Sequence, residues 1–365
     1  MIRKKILFIA IPAVVATLYF SAMIPDSVPP LATKGKGDSF AWKKDAYWQR
    51  LEDRFGALQK QGCNGQVKAT GELIQQANQR VHQWQQTGRF PGADETQALE
   101  QLLFDAAVKM AACKDAMTAH GASYERLRLT LKRLSSRWDI RNPNVRTTVY
   151  RLLYGSRIAT EQAMLVSGIF PKVQAVSDAP RHPVPTVTVH GVTIQSGDLL
   201  LSRGTAPTSA FIARGNNYPG NFSHVALVHV SEQKKVSIIE AHIEGGVAVT
   251  DGEGYLRDKK FRILVLRLRN DLPAIQKNPT LPHDAATLAF NRANAGHTPY
   301  DFEMDYQNSN KLFCSEVASS VYAQKGINLW QALSHISNPV VVRWMRDFGV
   351  RHFITQAPSD LEYDP

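Results

Sequence analysis

Three side chains, far apart in the chain, have the types that acyl transfer requires. Cys314 stands in Leu312-Phe313-Cys314-Ser315-Glu316-Val317-Ala318, just ahead of apolar residues at helical spacing. Free backbone N–H groups and the dipole at a helix start favour a thiolate. The same N–H groups can hold an oxyanion. A buried structural cysteine before a helix has the same local pattern. His224 opens the apolar run of Asn221-Phe222-Ser223-His224-Val225-Ala226-Leu227-Val228. A thiolate nucleophile needs a base within hydrogen-bond reach, and histidine is the usual one. A histidine at a strand start is equally a surface residue or a satisfied core imidazole. Glu240 ends the run Val236-Ser237-Ile238-Ile239-Glu240-Ala241. On an antiparallel neighbour of the His224 strand, its carboxylate would orient the ring and support the cation. The bland alternative is a strand-end glutamate in solvent.

Other titratable residues compete for these roles. His229 lies five residues after His224 and so faces the other side of a strand. His242 follows Glu240 by two and shares its side. Glu316 is two residues past Cys314 and suits the helix N-terminus better than the imidazole. His283, His297 and Asp301 show no His-x-x-x-His or His-Glu-x-x-His spacing. No metal and no cofactor is therefore expected.

Short β-branched runs separated by Gly, Asn and Asp must position these groups. They are Val187–His190, Leu199–Ser202, His224–Val230, Val236–Ala241 and Ile263–Leu268. Leu281–Ala295 and Ser315–Gly326 read as helices. Strands first, with helices around them, predict an α+β domain over 186–365. Residues 41–175 read differently. Tyr47, Leu51, Phe55 and Leu58 repeat at helical spacing, as do Leu99, Leu102, Leu103, Ala106 and Met110. Breakers at Gly62–Gly65, Gly88–Gly92, Gly121 and Asn142–Pro143 divide this stretch into about five helices. A helical bundle is the simplest packing. The proline-rich stretch 176–185 reads as a stiff linker.

The chain has 365 residues, 44% of them hydrophobic, and a formal charge of +11. Those values suit about two folded domains and exclude wholesale disorder and fibrous repeats. The charge favours an anionic partner without naming it. Residues 120–172 carry ten lysines and arginines against three acids. That face would suit anionic lipid or an anionic envelope polymer, or it is simply solvated. Three cysteines exclude a disulfide-dense scaffold and a four-cysteine zinc site. Cys63 and Cys113 are a candidate bridge in an oxidising compartment, or two small buried thiols.

Arg3, Lys4 and Lys5 precede the uncharged run Ile6–Ile24, about the length of a bilayer span. Bulky Phe20 and Tyr19 would occupy the −3 position for cleavage after Ala22 or Ser21, which suits an anchor better than a cleaved signal. The expected layout is a membrane anchor at 1–25, a linker at 26–40, the helical bundle and then the α+β domain. By the positive-inside rule the catalytic domain lies outside the inner membrane, in the periplasm. Nucleic acid is not an expected partner there.

Taken together, the motifs are more specific than each alone. Gly197-Asp198-Leu199-Leu200, Phe222–Val228, Ile239-Glu240-Ala241, Thr298-Pro299-Tyr300-Asp301-Phe302 and Leu312–Glu316 follow in that order. This series resembles the permuted NlpC/P60 papain-like hydrolases, the YiiX/YebB-like group, over about 190–365. The closing Ala357-Pro358-Ser359-Asp360-Leu361 resembles a late segment of that group. Ordinary papain-like enzymes place the cysteine before the histidine. The order here is His, acid, Cys. The resemblance implies a permuted papain-like domain with an antiparallel sheet and a thiol hydrolase. In it Cys314 is the nucleophile, His224 the base and Glu240 the orienting acid. It leaves wall-peptide amides and lipid acyl groups open as substrates, the latter by likeness to lecithin:retinol-type acyltransferases. A non-catalytic envelope scaffold is the other class. The helical stretch carries no resemblance.

Overall fold

Apolar spacing in the first half of the chain produces helices that share one buried face. The computed structural model describes residues 46–169 and 179–365. The helices are α1 (Ala46–Gln61), α2 (Gln66–Thr87), α3 (Ala93–Ala112), α4 (Lys114–Ser135), α5 (Pro143–Tyr150) and, after a π turn at Arg151–Gly155, α6 (Ser156–Ser167). Gly88 ends α2 in the left-handed region, where its N–H reaches the Trp84 carbonyl. Asn142 caps α5, with Pro143 in its first turn. The core of this body holds Ile74, Val81, Trp84, Leu99, Leu103, Met110, Leu127 and Leu131.

Gly121 does not break a helix. It lies buried within α4, where a Cβ would come 2.5 Å from Met117 Cε. The packing of α4 in the bundle core overrides its helix-breaking tendency. The chain breaks at Cys113 instead, which is extended between α3 and α4 and bonded to Cys63. That bridge closes a loop of 50 residues, for which chain entropy gives about 3–4 kcal/mol. Reduction by dithiothreitol should therefore lower the denaturant midpoint. An unchanged midpoint would show that the bridge contributes nothing.

The second body begins with the hairpin β1 (Thr186–Val189) and β2 (Val192–Gln195). It continues through β3 (Leu199–Gly204), α7 (Pro207–Arg214), β4 (His224–Val230), β5 (Val236–His242), β6 (Gly246–Asp251), α8 (Gly252–Arg257) and β7 (Lys260–Leu266). Then come α9 (Pro273–Lys277), α10 (Leu281–Ala295), α11 (Cys314–Gln324), β8 (Ser334–His335), α12 (Pro339–Asp347), β9 (Ile354–Thr355) and a 3-10 turn at Pro358–Glu362. Strands β6-β5-β4-β3-β7 form one antiparallel sheet in that order. One face, with Leu201, Val225, Leu227 and Ile239, packs on Ala285, Val317 and Val321 of α10 and α11. The other, with Leu200, Ala226, Val228 and Ile238, packs on Ile194 and Tyr255. Both faces are buried, so the strands read as continuous apolar runs. β2, β6 and α12 were not anticipated from the sequence, and the last predicted strand begins earlier, at Lys260.

Arg50–Pro365 form one compact unit. The closing segment ties its two halves together. Asp360 accepts from Arg146 at 3.1 Å, from Ser334 at 2.8 Å and from Tyr363 at 2.7 Å. Arg157 pairs with Glu362, and Lys132 donates to the carbonyls of Leu361 and Glu362. The basic stretch is therefore not a single outward face. Arg146 and Arg157 are buried, and with Lys132 they bind the chain's own C-terminal segment. Arg126, Arg133, Arg137, Arg141 and Arg151 remain exposed.

Among the described residues no helix is long and apolar enough to cross a membrane. The expected anchor at Ile6–Ile24, the linker 26–40 and the first part of the 176–185 linker lie outside the described residues.

Candidate active site

Antiparallel register brings the base and the acid together. Leu227 pairs with Ile239, which sets Glu240 level with Ala226 and on the same face as His224. The contact is direct, with His224 Nε2 and Glu240 Oε2 2.7 Å apart. Cys314 is the first residue of α11 and is buried. Its thiol and the His224 imidazole interact, each shifting the other towards its charged form. Because Nε2 is taken by Glu240, Nδ1 is the nitrogen left for sulfur. His224 is the first residue of β4, so its ring meets the α11 terminus at the end of the sheet.

The ordinary ionisation order is inverted. Burial pushes the Cys314 thiol up, but the hydrogen bond and charge of His224, with the Val225 N–H, outweigh it and hold the thiol below its usual value. Burial pushes His224 down, but Cys314 and Glu240 together raise it to about 9. Burial pushes Glu240 up, but hydrogen bonds from His224 and His242 bring it down to about 2. Near neutral pH His224 is therefore an imidazolium and Glu240 a carboxylate, and the Cys314 thiol is biased towards its thiolate.

The support is local. Ser359 accepts from the Phe222 N–H at 2.9 Å and donates to its carbonyl at 2.9 Å, fixing the approach to His224. The Arg157 guanidinium lies 5.3 Å over the Phe222 ring. Glu316 accepts from the Phe313 N–H at 2.9 Å. Burial raises Glu316 to about 8, so it adds little negative charge beside the thiolate at neutral pH. Glu316 thus serves the helix start, as expected. Asp198 is buried and bound by Arg267 at 2.7 Å, so the Gly-Asp motif is a structural tie.

His229 stacks on His283 and Phe290 away from the thiol, and His283 bonds Ser196 at 2.8 Å. Asp301 accepts the N–H groups of Glu303 and Asp305. The site opens into a cleft of about 470 Å³ lined by His224, Glu240, Cys314, Tyr300, Phe302, Phe211, Val341, Trp344 and Phe348. One contact, at the already weighed His242, adds to the sequence reading, and one element escaped it. His242 Nε2 lies 3.3 Å from Glu240 Oε1, and α12 forms a wall of the cleft. Val340, Val341, Trp344, Met345 and Phe348 carry a helical period after Asn338-Pro339 that would have located α12.

All three groups fall within one matched stretch. Residues 193–341 match the family model of the permuted papain-like amidase enzymes, YaeF/YiiX, C92 family. That stretch is thus similar to the permuted papain-like amidases, and amide hydrolysis is the activity which that similarity supports. A similar solved structure is that of metalloprotein yiiX from Escherichia coli O157:H7, 20% identical with a TM-score of 0.37. It covers 47% of this chain and 93% of its own. No curated protein matches the chain.

Proposed function

We propose that this protein is a thiol hydrolase of amide bonds in the cell envelope, with Cys314 as nucleophile, His224 as acid and base and Glu240 as orienting carboxylate. The observation that carries this reading is the relay Cys314–His224–Glu240 at the start of α11. The thiolate attacks the carbonyl carbon, and the tetrahedral oxyanion forms beside the helix N-terminus. His224 gives its proton to the departing amine, leaving a thioester. Water then loses a proton to His224, attacks the thioester and releases the acid. Cell-wall peptides are the proposed substrates. The apolar walls of the cleft favour a second reading, in which the scissile group is a lipid acyl ester and the same relay hydrolyses or transfers it. Turnover of wall-peptide amides against acyl lipids, each compared with Cys314→Ala, separates the two. Failure on both would leave the scaffold reading.

Activity should follow a bell in pH. It falls on the acid side as the thiolate takes up a proton, and on the alkaline side as His224 loses its proton at about 9. Glu240→Gln removes the charge that raises His224. The alkaline limb should then move down by roughly 1–2 units, with a loss smaller than that of Cys314→Ala. An unmoved limb would detach Glu240 from the mechanism.

The Cys63–Cys113 bridge suits an oxidising compartment, which supports a periplasmic body held by Ile6–Ile24. Membrane fractionation and N-terminal sequencing test this. A soluble mature form beginning after residue 21–25 would replace the anchor with a cleaved leader.

A further inference from the structure

Each oxygen of the Glu240 carboxylate faces a different imidazole. Oε2 lies 2.7 Å from His224 Nε2, and Oε1 lies 3.3 Å from His242 Nε2. The two rings are near-parallel, with centroids 6.2 Å apart. Glu240 is buried, whereas the His242 side chain is 44% exposed. We propose that His242 is a positioning residue: it holds the second oxygen of Glu240 so that the first stays on His224, and it opens this relay to the pH of the surrounding solvent. The inference rests on the thiolate–imidazolium reading above.

The last torsion of a glutamate is broad and roughly two-fold. A carboxylate held at one oxygen alone can turn and weaken that contact. A donor on the other oxygen removes the freedom. The longer distance marks the His242 contact as the weaker and more adjustable of the two. The register explains why His242 is there. It is the last residue of β5, two positions after Glu240 and on the same face, and it pairs with Gly246 of β6. Gly246 has no side chain to crowd the ring.

Charge around His242 agrees. The hydrogen bond and charge of Glu240 raise it above its usual value, with burial opposing. Glu244, in the turn after β5, adds to the rise, and the His224 cation subtracts from it. Across the cleft, Lys260 is paired with Asp258 at 2.8 Å. Tyr300 is held neutral, chiefly by burial. Below its raised pKa, His242 is a charged donor and grips Glu240 most tightly. Above it the ring is neutral and the grip loosens.

The test needs no substrate. Cys314 is the free cysteine among the described residues, so iodoacetamide alkylation of the full-length, unreduced protein reports on it alone. The pH profile should show two steps, one for ion-pair formation and one for loss of the His224 proton. His242→Leu removes the donor and should lower the second step by roughly half a unit or more. His242→Gln keeps a donor and should restore most of that shift. Superposition of the His242→Leu profile on the native one overturns the proposal, as does equal impairment by Gln and Leu. Histidine NMR of the unmodified sequence gives an independent readout if a variant does not fold. Beside the His224 imidazole, a second one, assigned to His242 by its loss in His242→Gln, should titrate above about 6.5 and return towards that value in Glu240→Gln; failure of this second signal to do so counts against the proposal. If native Cys314 alkylates as an ordinary thiol and His224→Ala changes nothing, the underlying site reading fails instead.

Discussion

Replacing Cys314 with alanine should reduce turnover by about 10⁴-fold or more while leaving the fold intact. The substitution removes the nucleophile and little volume. His224→Ala should lose nearly as much, because the thiol would return to an ordinary, largely protonated state. The double variant should be little worse than either single one, since members of such a unit do not add. Non-reducing alkylation should label one thiol in the native protein and none in Cys314→Ala, because Cys63 and Cys113 are bridged. Turnover retained by Cys314→Ala would end the thiol mechanism.

Removing Arg146 should have the largest effect on stability. Asp360 is 2% exposed and Arg146 is 5% exposed. Arg146→Ala leaves a carboxylate buried without its cation, at a cost of about 3–5 kcal/mol. Burial already raises Asp360 to about 6, with Arg146 and the hydroxyls of Tyr363 and Ser334 opposing. Its folded value is thus above the ordinary 3.8. This carboxyl therefore contributes stability below about 4, and that contribution is lost as pH rises through 6. Urea denaturation at pH 7 should show the Arg146→Ala loss. The paired change Arg146→Met with Asp360→Leu should be far milder, because no charge is then left alone. Equal losses in the single and paired variants would mean that packing, and not charge, holds the clasp. Because Ser359 of the same segment fixes Phe222, the single variant should also disturb His224.

The permuted order of the motifs was legible along the chain because each rests on local chemistry. A cysteine ahead of a helical period, a histidine opening an apolar run and a glutamate closing one are all short-range patterns. The main strands were legible too, since β-branched runs between turn residues have few alternatives. β6 was not legible. Gly246–Asp251 alternates weakly and is a strand because β5 offers it an edge. Gly121 misled because the tertiary packing of α4 overrides its helix-breaking preference.

What the sequence determined by itself was the class of chemistry and the three residues proposed to do it, since thiol, imidazole and carboxylate are properties of single residues. The tertiary structure decided how those residues meet and how the cations are used. The β4–β5 register placed Glu240 on His224 and brought His242 to its other oxygen. The C-terminal turn drew Arg146, Arg157 and Lys132 inward to the segment they bind, so a stretch that reads as basic is partly spent inside the protein. Both are pairings across long sequence separation. Only the packed sheet and the closed chain end fix which partner each charge finds.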